Sequence, residues 1–284
     1  MFGKLFNHQA YKFEVAICCI VRDEEYLIEW IAYHALIGVT KFYIYDNEST
    51  IPVNETLAPF IDSGLVEVIP FPGKVMQLPA YHHCLKHHGP LCKWIAFIDA
   101  DEFIVPKTLT GNLPEFLKAY EAYAGLGVNW LVFGSNGHIE KQESTIHSFT
   151  RRSLKSYIAN KHIKSIVQPR FVIKALTPHD FEYKKGKYGV NENFVTLTGP
   201  FSPHSSNKIQ INHYFTRSET DFMHKKGRGR ADTDEDIHQR TMHNFHVADK
   251  NSNLITDESI IEIQMLIEQL KNGNNEEQSG ITNW

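Results

Sequence analysis

The residues best suited to chemistry are Asp99 and Asp101, separated by Ala100 at the end of the apolar run Trp94-Ile95-Ala96-Phe97-Ile98. Two carboxylates one residue apart at a strand end can aim hard oxygens at a divalent cation, and such a cation can neutralise a departing diphosphate. Asp-x-Asp by itself is also the composition of a solvated turn. Here an apolar run enters the motif and an apolar segment leaves it, and a charged loop between buried strands costs stability unless something engages it. Acids stand at other run ends too, in Arg22-Asp23-Glu24-Glu25 and at Asp46.

The elements that must position these residues alternate. Residues 15–21 are a continuous β-rich apolar run, as expected of a strand buried on both faces. Helical spacing follows over 26–37, with Gly38 as a stop. Strands are predicted at 41–45, 65–69 and 94–98, and helices at 56–61 and 78–88. This order is that of a mostly parallel sheet with helices on both faces, where ligands bind outside the carboxyl ends of the strands. Beyond Pro106 the pattern loosens: a helix over 113–123, strands near 130–133, 165–167, 171–173 and 209–212, and a helix from a Thr256 cap to 270. Lys271-Asn272-Gly273 should end that helix, leaving 274–284 as a loose tail.

Bulk properties narrow the field. A length of 284 residues and 42% hydrophobic content suit one large domain. The formal charge of −4 argues against a nucleic-acid partner. Positive charge collects locally in Lys225-Lys226-Gly227-Arg228-Gly229-Arg230. Cys18, Cys19, Cys84 and Cys92 show no zinc-ligand spacing and read as reduced thiols. Residues 1–9 hold no long apolar stretch, and no run reaches the roughly 18 residues of a membrane span. The expectation is a cytoplasmic protein, peripheral to the inner membrane at most, or a chain whose anchor has been removed. No GxGxxG follows the first strand, which disfavours a dinucleotide-binding dehydrogenase.

Six segments carry a resemblance: Arg22-Asp23-Glu24, Glu29-Trp30-Ile31-Ala32-Tyr33-His34, Tyr45-Asp46-Asn47-Glu48-Ser49, Lys93 through Phe103, Phe133-Gly134-Ser135-Asn136-Gly137 and Ile211-Asn212-His213-Tyr214. In this order they resemble glycosyltransferase family 92 and related family-2-like enzymes. The resemblance implies an α/β fold of GT-A type, Rossmann-like, with a catalytic domain over 1–230. Its donor half would span 12–106 and its acceptor half 107–230, and a C-terminal helical extension and tail would span 231–284. It implies transfer of a sugar, with galactose expected, from a UDP-sugar to a glycan or lipid-linked glycan acceptor such as a bacterial surface polysaccharide. A Mn2+ or Mg2+ cofactor and inversion at the anomeric carbon are implied as well.

Roles carry over residue by residue. Asp99 and Asp101 resemble the metal and diphosphate motif, with Asp101 the more direct ligand, and His213 resembles the histidine that returns to the metal. Asp46 resembles the acid that holds the nucleoside, though it could simply cap a turn with Asn47. Arg22 and Glu24 resemble residues flanking uracil and ribose. Lys225 and Arg228 belong to a basic, Gly-punctuated loop able to close over the diphosphate or to meet a membrane surface; a solvated basic face is the bland alternative. The Gly134-to-Gly137 segment is expected near the acceptor and donor sugar. An inverting transfer needs a base, and Pro178-His179-Asp180 supplies two candidates, Asp180 first and His179 second.

Two other functions compete. A nucleotidyltransferase would also bind a cation with paired acids, but should carry a Gly-rich phosphate loop where this chain has Arg22-Asp23-Glu24-Glu25. A non-catalytic glycan- or nucleotide-binding module would bind without metal and without turnover.

Overall fold

The computed structural model describes residues 10–229, 231–233 and 240–279. Its first half runs β1 (Phe13–Val21), α1 (Leu27–Leu36), β2 (Lys41–Asp46), α2 (Val53–Thr56), α3 (Ala58–Asp62), β3 (Val66–Pro70), α4 (Gln77–His87), β4 (Cys92–Phe97) and β5 (Glu102–Pro106). Then come α5 (Leu113–Leu117), β6 (Gly125–Val132), α6 (Thr145–Ser148), β7 (Arg151–Arg152), β8 (Ile163–Val167), β9 (Val172–Ala175) and β10 (Phe181–Tyr183). The chain ends through β11 (Gly189–Val190), β12 (Ile209–His213), α7 (Glu219–Gly227), α8 (Met242–Ser252), β13 (Ile255–Thr256) and α9 (Ser259–Ser279).

β1 is apolar on both faces because it serves two cores. Val15, Ile17 and Cys19 face one core with Trp30 and Ile31 of α1, whereas Ala16, Cys18 and Ile20 face another with Ala80, Tyr81 and Cys84 of α4. Helices therefore cover both faces of this part of the sheet. The main sheet runs β3-β2-β1-β4-β8-β6-β12-β5, with β11 beside β6. β2 and β4 flank β1 in parallel, so Cys18 lies opposite both Tyr43 and Phe97. β8 is antiparallel between β4 and β6, and β5 is antiparallel to β12. The sheet is thus large, mixed and mostly parallel, with a Rossmann-like first half. The chain steps from β1 outward to β3 and returns on the other side as β4, which puts a topological switch point between β1 and β4.

Several elements differ from expectation for identifiable reasons. The helix predicted over 56–61 is two short ones, because Pro59 falls in the first turn of α3 and cannot continue a preceding helix. The helix predicted over 113–123 ends at Leu117. β6 begins five residues before Trp130. Gly125 and Gly127 hid its start, since glycine is a poor strand former, but both are required. A Cβ at Gly125 would lie 2.3 Å from the Tyr183 hydroxyl, and one at Gly127 would lie 2.4 Å from Leu197. α9 starts at Ser259, not at a Thr256 cap, and runs past Gly273 to Ser279. The expected loose tail is therefore helical to Ser279, and residues 280–284 lie outside the described ones.

α9 buries Ile260, Ile263 and Ile267 in the same core as β1 and β5. Its start is fixed by Asp257. That carboxylate accepts from the Ser259 amide at 3.2 Å and from Arg152 Nε of β7 at 2.6 Å. Burial opposes ionisation, but hydrogen bonds from Ser259 and Arg152 outweigh it and hold the carboxyl below its ordinary range. Asp257→Ala is expected to cost about 3 kcal/mol in urea denaturation, because it strands a half-buried guanidinium. The folded-state pKa is depressed, so this stabilisation is complete above about pH 4 and fades as pH falls through the folded value. The difference between wild type and variant should therefore shrink in acid.

Candidate active site

β4 ends at Phe97 and β5 begins at Glu102, so the chain must reverse within four residues while both strands stay buried. The turn closes on itself. The Glu102 amide donates to Asp99 O at 3.1 Å, and the Asp99 amide donates to Glu102 Oε2 at 2.9 Å. The end of β12 clips on through the Tyr214 amide, which donates to Asp101 O at 2.8 Å. That clip sets His213 beside Asp101, with Nε2 and Oδ2 3.6 Å apart. A cleft of about 540 Å³ opens here, at the switch point, lined by Arg22, Glu24, Asp99, Asp101, His213 and Lys225 among others.

Each acid in the turn meets a cation. Lys164, wholly buried in β8, reaches Asp99 Oδ2 at 2.9 Å and lies 3.7 Å from Glu102 Oε2. Gln77 Nε2 donates to Asp99 Oδ1 at 2.8 Å. Lys225, from the last turn of α7, bonds Asp101 Oδ2. Burial works against the Asp101 charge, but Lys225, His213 and Arg217 hold its carboxyl well below the usual range. Lys225 is itself pushed down to about 8, by burial first and then by Arg240, against the pull of Asp101. Glu102 is pushed well above its ordinary value by burial, with Lys164 pulling the other way and Asp99 and Asp101 adding to the rise. His213 is lowered by burial, although Asp101 pulls the other way, and is neutral at pH 7.

A second set of ions braces the first. Arg217 donates to Glu24 Oε1 at 2.5 Å and to Ala100 O at 3.1 Å, joining the end of β1 to the Asp99–Asp101 turn. Its guanidinium lies over the Tyr26 ring at 4.5 Å. Arg228 donates to Arg22 O and Asp23 O at 2.7 Å each, and to Glu24 Oε2 at 3.1 Å. One wall is aromatic: Trp130 packs on His213, His162 and His179, with ring centroids 4.2, 4.7 and 5.3 Å away. α8 also lines the cleft, through His243, Asn244, Val247 and Ala248.

Residues 11–246 match the model of glycosyltransferase family 92. The chain belongs to glycosyltransferase family 92. A family 92 protein of Ricinus communis is 32% identical over 189 residues, which is 63% of this chain and 33% of that protein. One of Oryza sativa subsp. japonica is 30% identical over 62% of this chain and 31% of its own length. A beta-1,4-galactosyltransferase of Caenorhabditis elegans is 22% identical over 74% of this chain and 50% of its own length. The chain spans about a third of the length of the plant relatives it matches.

Of the residues singled out in the sequence of this family 92 protein, Arg22, Glu24, Asp99, Asp101, His179, His213, Lys225 and Arg228 share the cleft. Asp46 does not line it. Its carboxylate accepts from the Ser49 amide at 3.0 Å and the Val53 amide at 3.3 Å, the turn-capping arrangement. Asp180 does not line it either, and is held by the Thr177 hydroxyl. His179 does, with Nδ1 donating to Ile163 O at 2.8 Å. Glu24 lies on the wall, but both its oxygens are taken by arginines. The basic segment is not a free loop: Lys225, Lys226 and Gly227 form the last turn of α7, Lys225 and Arg228 line the cleft, and Arg230 lies outside the described residues. The Gly134-to-Gly137 segment lies away from the cleft lining and holds α8, through Ser135 N to Asp249 at 2.7 Å and Asn136 N to Asn253 at 2.9 Å.

Lys164, Gln77, Arg217 and the α8 wall were not among the expected site residues. Lys164 left a readable signal, a lysine inside the apolar run Ile163-Lys164-Ser165-Ile166-Val167. Gln77 and α8 left none, since both reach the cleft through tertiary packing. Arg217 and Glu24 are both almost fully buried, at 8% and 4% side-chain exposure. Arg217→Met should cost about 3 kcal/mol by removing the more buried of Glu24's two arginine partners, read as a lower urea midpoint with an unchanged denaturant slope.

Proposed function

We propose that this family 92 chain transfers a sugar from a nucleotide-sugar donor to a glycan acceptor, with UDP-galactose as the donor of first choice. Family membership supports the reaction class, and the nematode relative's name supports galactose. The observation that carries the reading is the position of Asp101 and His213. A buried ionised carboxylate and a neutral imidazole stand together at the switch point of the sheet, where nucleotides bind in open α/β folds.

The donor set suits a divalent cation in part. Among the described residues no three His, Cys, Asp or Glu side chains converge as a ready metal cage. Asp101 and His213 offer one hard oxygen and one nitrogen. Cations of the Mg2+ and Mn2+ type are commonly held by one or two carboxylates together with substrate phosphates. When bound, the cation neutralises the charge that develops on the departing diphosphate. Lys225 bonds Asp101 Oδ2, and with a cation held by Asp101 and His213 its ammonium would be placed to pair with the donor phosphates. Asp99, pinned by Lys164 and Gln77, keeps a carboxylate at the cleft to accept hydrogen bonds from sugar hydroxyls.

His179 is the better placed of the two candidate bases. Its Nδ1 proton goes to Ile163 O, which leaves Nε2 free to accept a proton. Burial, aided by Lys164, pushes the ring to about 3, so it is neutral but weak until a diphosphate nearby supplies negative charge. The four buried free cysteines, with Cys18 and Cys84 in contact, support a reducing location such as the cytoplasm. Among the described residues no helix is long and apolar enough to cross a membrane. With this transfer chemistry, the Rossmann-like sheet is proposed to be of GT-A type.

Donor hydrolysis should be screened with UDP-, GDP- and CMP-sugars, in Mn2+ and in EDTA. Turnover is expected with UDP-sugars and Mn2+ and none in EDTA. Asp101→Asn should lower kcat about a thousandfold with a retained thermal transition. Full activity in either test would sink the metal reading. His179→Gln should lower transfer kcat about a hundredfold, whereas Asp180→Asn should leave it near wild type; the reverse ranking would return the base to Asp180.

A further inference from the structure

Residues 144–179 contain seven Lys and Arg and no Asp or Glu; Arg152, Lys164 and Lys174 pair with acids from elsewhere in the chain, and the others are Arg151, Lys155, Lys161 and Arg170. This stretch supplies one lip of the cleft, because Tyr157 and Ala159 line it. Just outside that lip, Leu154 is 47% exposed, Ile158 is 66% exposed, and Phe201 is 55% exposed. They lie close together. The Tyr157 amide donates to Leu154 O at 3.0 Å, Phe201 packs its ring on His162 at 4.6 Å, and Ser202 N donates to Lys161 O at 2.9 Å. Lys155 and Lys161 are exposed among these apolar side chains.

Large apolar side chains held in water at the edge of a cleft mark an interaction surface. The exposed Lys155 and Lys161, interleaved with them, add a preference for a negatively charged partner. An anionic polymer would satisfy the charge alone, whereas the interface of an anionic bilayer takes apolar side chains and lysines together. Lys225 and Arg228, for which the sequence left a membrane contact open beside closure over the diphosphate, are turned into the cleft, so this lip is the better candidate for that contact.

We propose that Leu154, Ile158, Phe201, Lys155 and Lys161 form a docking rim for an anionic lipid surface. Docked there, the mouth of the cleft faces the bilayer and is presented to acceptors carried on lipid. The docking itself stands apart from the sugar-transfer reading; only its purpose rests on that reading.

The test is co-sedimentation of the full chain with vesicles of phosphatidylcholine alone, or of phosphatidylcholine mixed with phosphatidylglycerol. Wild type should pellet with the anionic vesicles and stay in solution with the neutral ones. A Leu154→Ser/Ile158→Ser variant and a Lys155→Ser/Lys161→Ser variant should each bind about tenfold more weakly or worse. Both should keep wild-type thermal midpoints and wild-type donor hydrolysis. Absence of wild-type binding, or undiminished binding by either variant, overturns the proposal. In particular, loss with the lysine pair alone would mark a site for a soluble polyanion. Vesicle binding without any donor hydrolysis would leave the rim standing and remove the transferase reading instead.

Discussion

The structure depends on a problem of charge at the ends of β1 and β4. Glu24, Asp99, Asp101 and Glu102 are brought together where two buried parallel strands finish, and carboxylates so placed cannot all stay ionised without compensation. The compensation comes from far along the chain. The acids all lie within the first 102 residues, while Lys164, Arg217, Lys225 and Arg228 come from β8, the β12–α7 connection and α7. The Rossmann-like half therefore makes a negative hole that it cannot fill. The second half, with β8 inserted antiparallel beside β4, delivers the positive charge that lets the first half close.

That division explains what was legible in the sequence. β1, β2, β3 and β4 could be read to within two residues at each end because each is a short apolar run whose burial is decided locally. Asp99 and Asp101 could be found because their strand announces itself. β6 was shortened because its first residues are glycines required by Tyr183 and Leu197, contacts that no local pattern encodes. Asp46 shows the opposite failure. It stands at a strand end and matches a family motif, yet its oxygens serve the amides of Ser49 and Val53, so position alone did not decide its use. Lys164 is a third case: a buried lysine can be suspected from its strand, but its partners lie 65 and 62 residues away and appear only when β8 pairs with β4.

Local strain follows the same plan. Asp23 and Arg217, both non-glycine, adopt left-handed backbone angles with φ of 48° and 49°. One lies beside Glu24 and the other is the residue that Glu24 holds. Side chains pay for this region of backbone space, by roughly 1 kcal/mol or more each, and such strain persists only where surrounding bonds over-determine it. Here those bonds are visible. The Asp23 carboxylate accepts from the Thr50 amide at 2.6 Å and its own amide donates to Ser49 Oγ at 3.1 Å, while Arg217 is fixed by Glu24 and Ala100.

The two layers of ions are not equivalent. The two outer arginines each bond one oxygen of Glu24 and also backbone carbonyls of the loops around it. Lys225 differs: it is a flexible ammonium whose pKa burial has already pushed to about 8, set on a carboxylate that faces the cleft. Its ammonium lines the cleft beside Asp101, at the last turn of α7. The fold thus fixes the charges around Glu24 with planar arginines and leaves one adaptable lysine on Asp101.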